Sequence, residues 1–268
     1  MRETVGGIKH PAFRDALALT RAGGREATGR YLVEDAGMVR QAIAASDTKI
    51  HAVFATPEEA PTLEAMHGER TFPLYIVTGG LITKLVGTGY STAVTAVAVL
   101  EQRTVSPEDL LQHADGLILC GEKIQDPRNV GVLIRTAEAA GCAGLLLSAD
   151  SAEPFSRQAV RSTTGSILRL PIALTTHLPD TLTELKRRGA TVMTASGESP
   201  KLLYDADLSV RPLVLVVGNE QDGVSEAVLQ AADADISLPM APNGADSLNV
   251  TVAAGAMVYE AIRQRMAK

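Results

Sequence analysis

The sequence predicts an α/β protein built on a mostly parallel sheet with helices on both faces. Three observations carry that prediction. Strand-like and helix-like segments alternate from end to end of the 268 residues. The clearest strands, Gly116–Cys120 and Leu213–Val217, are continuous apolar runs rather than alternating ones, as strands covered on both faces must be. No internal repeat or low-complexity tract interrupts the alternation.

In chain order, Phe13–Ala22 has helical apolar spacing and is expected to stop at Gly23-Gly24. Tyr31–Glu34 reads as a short strand, and Asp35 as the cap of a helix reaching Ala45. Lys49–Phe54 is the next strand; Thr56, with Pro57 in the first helical position, opens another helix. Leu74–Val77, a helix over Leu81–Val86 and a strand over Thr92–Leu100 complete a first α/β unit. Residues 101–113 are polar, contain a proline and lack strand pattern, so they read as a linker between a domain at 1–100 and a second at 114–268.

The second domain opens with the strand Gly116–Cys120 and a helix from Val130 to Ala140 that Gly141 stops. Strands follow at Ala143–Leu147, Arg169–Leu174, Ala190–Ala195, Leu213–Val217 and Ile236–Leu238. A last helix runs from Ser247 to the C-terminus, with Leu248, Val252, Tyr259 and Ile262 on one apolar stripe of the kind that faces a core.

Composition narrows the class. Hydrophobic residues make up 46% of the chain and there is no Trp, so Leu, Ile, Val and Ala supply the core. The longest apolar runs, Ala93–Leu100 and Leu213–Val217, fall well short of the roughly 20 residues of a membrane span. The N-terminal Met1-Arg-Glu-Thr-Val-Gly-Gly lacks the apolar core of a secretory signal. Cys120 and Cys142 lie in apolar stretches without Cys-x-x-Cys spacing, and read as buried thiols of a reducing, cytoplasmic compartment.

A net charge of −6 argues against a protein that coats nucleic acid by electrostatics alone. The charge is uneven, however. Residues 1–30 carry six cations against three acids, and Pro154–Pro179 holds Arg157, Arg161 and Arg169 with no acid. Such islands are most commonly a solvated face, and they also fit a local phosphate contact.

Ligands of parallel sheets sit beyond the carboxyl ends of the strands. Cys120 is followed by Gly121-Glu-Lys-Ile-Gln-Asp126-Pro-Arg-Asn129-Val-Gly-Val-Leu-Ile-Arg135, in which Asn129 can cap a helix and Arg135 stands in an apolar stretch. In isolation Arg135 reads as a snorkelling surface arginine. Val217 is followed by Gly218-Asn219-Glu220-Gln-Asp-Gly223-Val-Ser225, two glycines bracketing an acid. Leu238 leads into Pro239-Met240-Ala-Pro-Asn-Gly-Ala-Asp-Ser247-Leu248-Asn249, a polar loop running into a helix. Each alone is an ordinary capped connection; three together offer a flat ligand many main-chain groups and one fixed cation. There is no Gly-x-x-x-x-Gly-Lys-Ser/Thr loop, no Gly-x-Gly-x-x-Gly after a strand and no Gly-x-Ser-x-Gly elbow. The five histidines lack metal-ligand spacing, so no metal is expected.

The segments Asn129–Arg135, Gly218–Gly223 and Leu238–Met240 with Ser247–Val250 resemble, in order, spacing and strand placement, the three motifs of the SpoU/TrmH branch of the SPOUT methyltransferases. Arg30-Tyr-Leu-Val-Glu34 and Phe72-Pro-Leu-Tyr-Ile-Val resemble strands of the N-terminal domain often fused to that family. The resemblance implies a C-terminal SPOUT-type, trefoil-knotted parallel sheet with a smaller N-terminal α/β RNA substrate-binding domain. It also implies a homodimer, and methyl transfer from S-adenosylmethionine to a ribose 2′-hydroxyl of RNA.

Carried over residue by residue, it places Asn129, Arg135, Glu220, Ser247 and Asn249 at the active site. Gly218, Asn219, Glu220, Gly223, Leu238, Met240, Ser247 and Leu248 fall where the cofactor is gripped. Arg157 and Arg161 lie where family members approach substrate, and Arg14, Arg21, Arg25 and Arg30 belong to the substrate-binding domain. Such contacts read phosphates and shape.

The chemistry agrees with these roles. A ribose hydroxyl is a poor nucleophile and needs alignment and help in losing its proton. Sulfonium charge vanishes during transfer, so a site of amides, hydroxyls and one acid balanced by Arg135 suits better than an anionic pocket. Arg135 is read as orienting phosphate and hydroxyl, since a guanidinium almost never deprotonates. Glu220 is read as an orienter, and Ser247 and Asn249 as holders of the hydroxyl. The fused domain favours ribosomal over transfer RNA by analogy. A second reading, a non-catalytic RNA-binding or ribosome-assembly module of the same fold, differs in being indifferent to the cofactor.

Overall fold

In the N-terminal half the alternation builds a five-stranded sheet. The computed structural model describes residues 2–66, 71–87, 93–112, 116–219, 221–245 and 247–268. They fall into two units, Met1–Gln102 with Phe155–Leu168, and Arg103–Pro154 with Arg169–Lys268.

The first unit runs β1 (Arg2–Thr4), α1 (Pro11–Ala18), α2 (Ala22–Thr28), β2 (Arg30–Glu34), α3 (Ala36–Ala44), β3 (Ile50–Ala55), α4 (Ala60–Ala65), β4 (Leu74–Ile76), α5 (Gly79–Val86) and β5 (Ala96–Glu101). The sheet order is β1-β4-β3-β5-β2. It is mixed: β4 pairs in parallel with β1 and β3, whereas β5 runs antiparallel to both β3 and β2. Phe13, Leu32, Phe54, Ile82, Leu85 and Val97 fill one of its faces. Asp35 caps α3 as expected, its carboxylate accepting from the Gly37 N–H at 2.7 Å.

Several sequence expectations change here. Gly23-Gly24 does not end a helix but lies inside α2, because a Cβ on Gly24 would meet the Ala18 carbonyl oxygen at 2.1 Å. The glycine is needed for close approach of two helices, which local propensity cannot reveal. The helix after Thr56 starts only at Ala60, with Pro61 rather than Pro57 in its first turn. The start of the last strand, placed at Thr92, lies outside the described residues. The expected linker is structured: Glu101 closes β5, Val105 bridges Ala173, and a 3₁₀ turn over Pro107–Gln112 buries Leu110; His113 lies outside the described residues.

The second unit comprises β6 (Leu117–Gly121), α6 (Pro127–Ala139) and β7 (Gly144–Ser148). After the excursion Phe155–Leu168, which contains α7 (Arg157–Thr163) and groups with the first unit, come β8 (Ile172–Thr175), α8 (Leu178–Arg187), β9 (Thr191–Ala195), β10 (Leu213–Val217), α9 (Glu226–Ala231), β11 (Ala234–Ile236) and α10 (Val250–Met266). The sequence boundary at 114–268 had assigned that excursion to the C-terminal domain.

All six strands are parallel, in the order β11-β9-β10-β6-β7-β8. Thus β10 enters between β6 and β9, with Val214 beside Ile118 on one side and Val192 on the other. Both β6 and β10 are buried along their whole length, which is why they read as unbroken apolar runs. One layer of core joins Ile118, Cys120, Leu146, Val192, Val214 and Val216 to Leu182, Leu185 and Val228.

Two helix readings are corrected. The cap of α6 is Asp126, accepting from the Arg128 N–H at 2.8 Å; Asn129 stands in the first turn. The stripe Leu248, Val252, Tyr259 and Ile262 is not the core face of the last helix. Val250, Ala254, Met257, Val258 and Ala261 are buried, whereas Leu248, Val252 and Tyr259 are exposed. Among the described residues no helix is long and apolar enough to cross a membrane.

Candidate active site

The strand order puts the C-terminal ends of β6 and β10 side by side, so the loops leaving them are neighbours. The loop after β10 is pinched shut at its base. Asn219 and Gly223 exchange main-chain hydrogen bonds at 2.9 and 3.0 Å, and the Asn219 Oδ1 accepts from the Gln221 and Asp222 N–H groups at 2.8 and 3.2 Å. Gly218 lies so close to the returning chain that a Cβ would stand 2.2 Å from the Gly223 carbonyl carbon and oxygen. Glu220, expected at the site, lies outside the described residues.

Two polar ties join this loop to the one after β6. The Asn219 side-chain amide donates to the Lys123 carbonyl at 2.9 Å. Glu122 accepts from both the main-chain N–H and the hydroxyl of Ser225, at 2.8 and 2.5 Å. Sequence reasoning singled out neither Glu122 nor the tie.

The third loop, after β11, leads into α10. Asn249 caps that helix, its Oδ1 accepting from the Thr251 N–H and hydroxyl at 2.9 and 2.6 Å. Its Nδ2 donates to the Asn129 Oδ1 at 3.4 Å. Two residues 120 positions apart, each chosen from the sequence, are therefore in contact. α10 packs along α6 and against β10. Arg135 is exposed and has no hydrogen-bonding or ionic partner among the described residues. It stands about 9 Å beyond Asn129 along α6, at 1.5 Å per residue. Ser247, Leu248 and Met240 are exposed, and Leu238 is half-buried.

The arginines proposed for RNA contact divide. Arg14, Arg21 and Arg161 are exposed and Arg30 is half-buried. Arg25 is buried, donating to the Leu19 carbonyl at 2.9 Å, and so is part of the packing of its unit rather than of its surface. Arg157 is likewise turned to its own unit. Its guanidinium grips the buried Glu34 carboxylate through Nε and, at 3.0 Å, through Nη2, which also donates to the Val86 carbonyl. A bidentate pair with a buried acid fixes that arginine in place. Burial raises both thiols, Cys142 to about 12 and Cys120 higher still, so neither offers a thiolate near neutral pH. Among the described residues no cluster of His, Cys, Asp and Glu is placed to hold a metal ion.

Residues 116–259, a segment spanning all three loops, match the sequence profile of the SpoU rRNA Methylase family. The chain belongs to that family. Across its full length this SpoU-family chain is 31% identical over 267 residues to an uncharacterized tRNA/rRNA methyltransferase of Synechocystis sp., covering 98% of this chain and 95% of the relative. It is 32% identical over 183 residues to the 23S rRNA (guanosine-2′-O-)-methyltransferase RlmB of Vibrio parahaemolyticus, covering 68% of this chain and 73% of the relative.

Among solved structures it superposes on the AdoMet-bound rRNA methyltransferase of Sinorhizobium meliloti with a TM-score of 0.87 at 28% identity, over 98% of each chain. The SpoU methyltransferase AviRb of Streptomyces viridochromogenes, in complex with AdoMet, gives a TM-score of 0.85 at 25% identity, over 96% of this chain and 98% of the other. The fold is therefore the SPOUT-type α/β fold.

The residues present suit such a cofactor. An adenosine moiety needs main-chain partners and apolar cover. Among the described residues nothing hydrogen-bonds to the main-chain groups of Leu238 and Met240, and the apolar side chains of Met240 and Leu248 are exposed. Gly218, where a Cβ cannot fit, keeps the base of the loop after β10 clear of side chain.

Proposed function

We propose that this protein methylates a ribose 2′-hydroxyl of RNA, ribosomal RNA in preference to transfer RNA, using S-adenosylmethionine. The observation that carries the reading is the contact of Asn129 with Asn249. With the tie of Asn219 to the Lys123 carbonyl it supports a common site for the three expected segments, in a chain of which 98% superposes on an AdoMet-bound rRNA methyltransferase.

S-adenosylmethionine, when bound, supplies an electrophilic methyl group on a sulfonium. Gly218, Asn219, Gly223, Leu238, Met240 and Leu248 would hold it, chiefly through main-chain groups. Arg135, a permanent cation with a planar fork of donors, orients the phosphate beside the target ribose. Asn129 and Asn249 set the register of α6 against α10, and Ser247, with its hydroxyl exposed, accepts or donates a hydrogen bond to the 2′-hydroxyl. Alignment of this kind accounts for most of what such a displacement needs. Glu220 is assigned the orienting of Arg135. Arg14, Arg21, Arg30 and Arg161 remain the phosphate contacts of the substrate-binding unit, and the protein acts in the cytoplasm, where its RNA is. It works as a homodimer, for which the exposed apolar stripe of α10 is the support.

Incubation with methyl-labelled S-adenosylmethionine and ribosomal RNA, followed by digestion to nucleosides, should put the label on a 2′-O-methylated ribose. Label on neither ribosomal nor transfer RNA sinks the reading. Calorimetric titration with S-adenosylmethionine separates it from a non-catalytic RNA-binding module.

A further inference from the structure

Glu122 is 4% exposed, and a carboxylate taken out of water is costly unless its oxygens are satisfied. Among the described residues its oxygens face no cation. They accept instead the N–H and O–H of a single residue, Ser225, 103 positions away. The Glu122 N–H itself continues the β6–β10 ladder, donating to the Val217 carbonyl at 2.9 Å. The next residue, Lys123, adopts φ +52°, a left-handed conformation rare outside glycine. Its carbonyl receives the Asn219 amide, and its N–H donates to the Ser148 hydroxyl at 2.8 Å.

Two consecutive residues thus hold both ends of the loop after β10, Asn219 at its start and Ser225 at its exit. The same chain continues within a few residues into α6, which carries Asn129 and Arg135.

We propose that Glu122 and Ser225 are positioning residues, whose paired hydrogen bonds lock the exit of the loop Gly218–Gly223 to the strand feeding α6 and so set the cofactor's seat against Asn129 and Arg135. This rests on the reading that the loop receives S-adenosylmethionine. Neither residue is assigned a chemical role. The local sequence needs neither bond: α9, which follows Ser225, receives no side-chain cap from it, because the hydroxyl is given to Glu122.

The test is isothermal titration of S-adenosylmethionine into the full-length protein, with KM for each substrate measured alongside. Glu122→Ala and Ser225→Ala should weaken S-adenosylmethionine binding roughly tenfold or more, the loss expected of hydrogen bonds to a charged group. KM for S-adenosylmethionine should rise and KM for RNA stay unchanged. Glu122→Gln should remain within about threefold of the parent, because its carbonyl oxygen still accepts from the Ser225 N–H and its amide can donate to the hydroxyl. Amide hydrogen exchange over 218–225 should quicken in the two alanine variants and not in Glu122→Gln. Should Glu122→Ala fail to fold, Ser225→Ala carries the test, since it leaves the carboxylate bonded to the main chain.

Parent-like affinity in folded Ser225→Ala and Glu122→Ala overturns the proposal, and so does a Glu122→Gln as weak as the alanine variant. A parent protein that does not bind S-adenosylmethionine at all overturns the functional reading beneath it instead.

Discussion

Gly218 and Arg135 show the two ways in which a single residue can matter at this site. Gly218 acts through absence: a methyl there would stand 2.2 Å from the Gly223 backbone, which neither partner can relieve without opening the loop. Gly218→Ala is expected to cost about 1–3 kcal/mol by overpacking and to weaken S-adenosylmethionine binding at least tenfold. Thermal unfolding and calorimetry of the same sample check both. Arg135, in the proposed reaction, would act through presence. Arg135→Ala should leave cofactor affinity intact while lowering methyl transfer by roughly 100-fold or more, the loss typical of a removed transition-state donor. Arg135→Lys should recover only part, because an ammonium lacks the planar fork. Single-turnover rates with labelled cofactor measure this. Arg135 stood out in the sequence only in company, since one arginine in an apolar helix means little without the two further segments whose spacing completes the resemblance. Glu122 was not legible at all, since its partner lies on a loop that reaches it only through the sheet order.

At the scale of elements, what the sequence revealed depended on whether an element answers to its own residues or to distant ones. β6 and β10 were readable within a residue or two because burial on both faces imposes a continuous apolar run. The break between α1 and α2 was misread because Gly24 serves a neighbouring helix. The ion pair of Arg157 could not be read because its partner, Glu34, is 123 positions away.

That ion pair yields a contrast. Arg157→Ala removes a bidentate partner from a buried carboxylate and should destabilise its unit by about 3 kcal/mol. Arg161→Ala, at an exposed position of the same helix, should leave stability nearly unchanged and lower the slope of log affinity against log salt for RNA by about 1. Thermal melts and salt-titrated filter binding separate the two roles.

The end of α10 carries a pH dependence. Hydrogen bonds from Arg263, then Gln264, hold the Glu260 carboxyl down to about 2 from its usual 4.5. A lowered folded-state pKa stabilises above the unfolded value and is lost as pH falls through the folded one. Stability should therefore decline between pH 4.5 and 2, and Glu260→Gln should flatten that decline in acid titrations followed by circular dichroism.

For the whole molecule, the decisive misfit is the last helix. Its sequence carries two apolar faces, and a single chain buries only one. Val250, Ala254, Met257 and Val258 face the sheet and α6, while Val252 and Tyr259 remain 55% and 53% exposed, with Leu248 before them and Met266 beyond. The sequence reading took the exposed stripe for the core face, because apolar spacing alone does not say which of two apolar faces packs against the rest of the chain. Water in contact with side chains of this size costs about 1.5–3 kcal/mol apiece relative to full burial.

A second copy meeting the first across this stripe would recover that on both sides, and a twofold interface needs only one self-complementary patch. The parent protein is therefore expected to be a dimer by light scattering at micromolar concentration. Val252→Asp and Tyr259→Asp should convert it to monomer with little change in secondary structure, because each places a charge on a surface the folded chain already leaves exposed. A monomeric parent removes the dimer. A dimer that survives both substitutions moves the interface to another face.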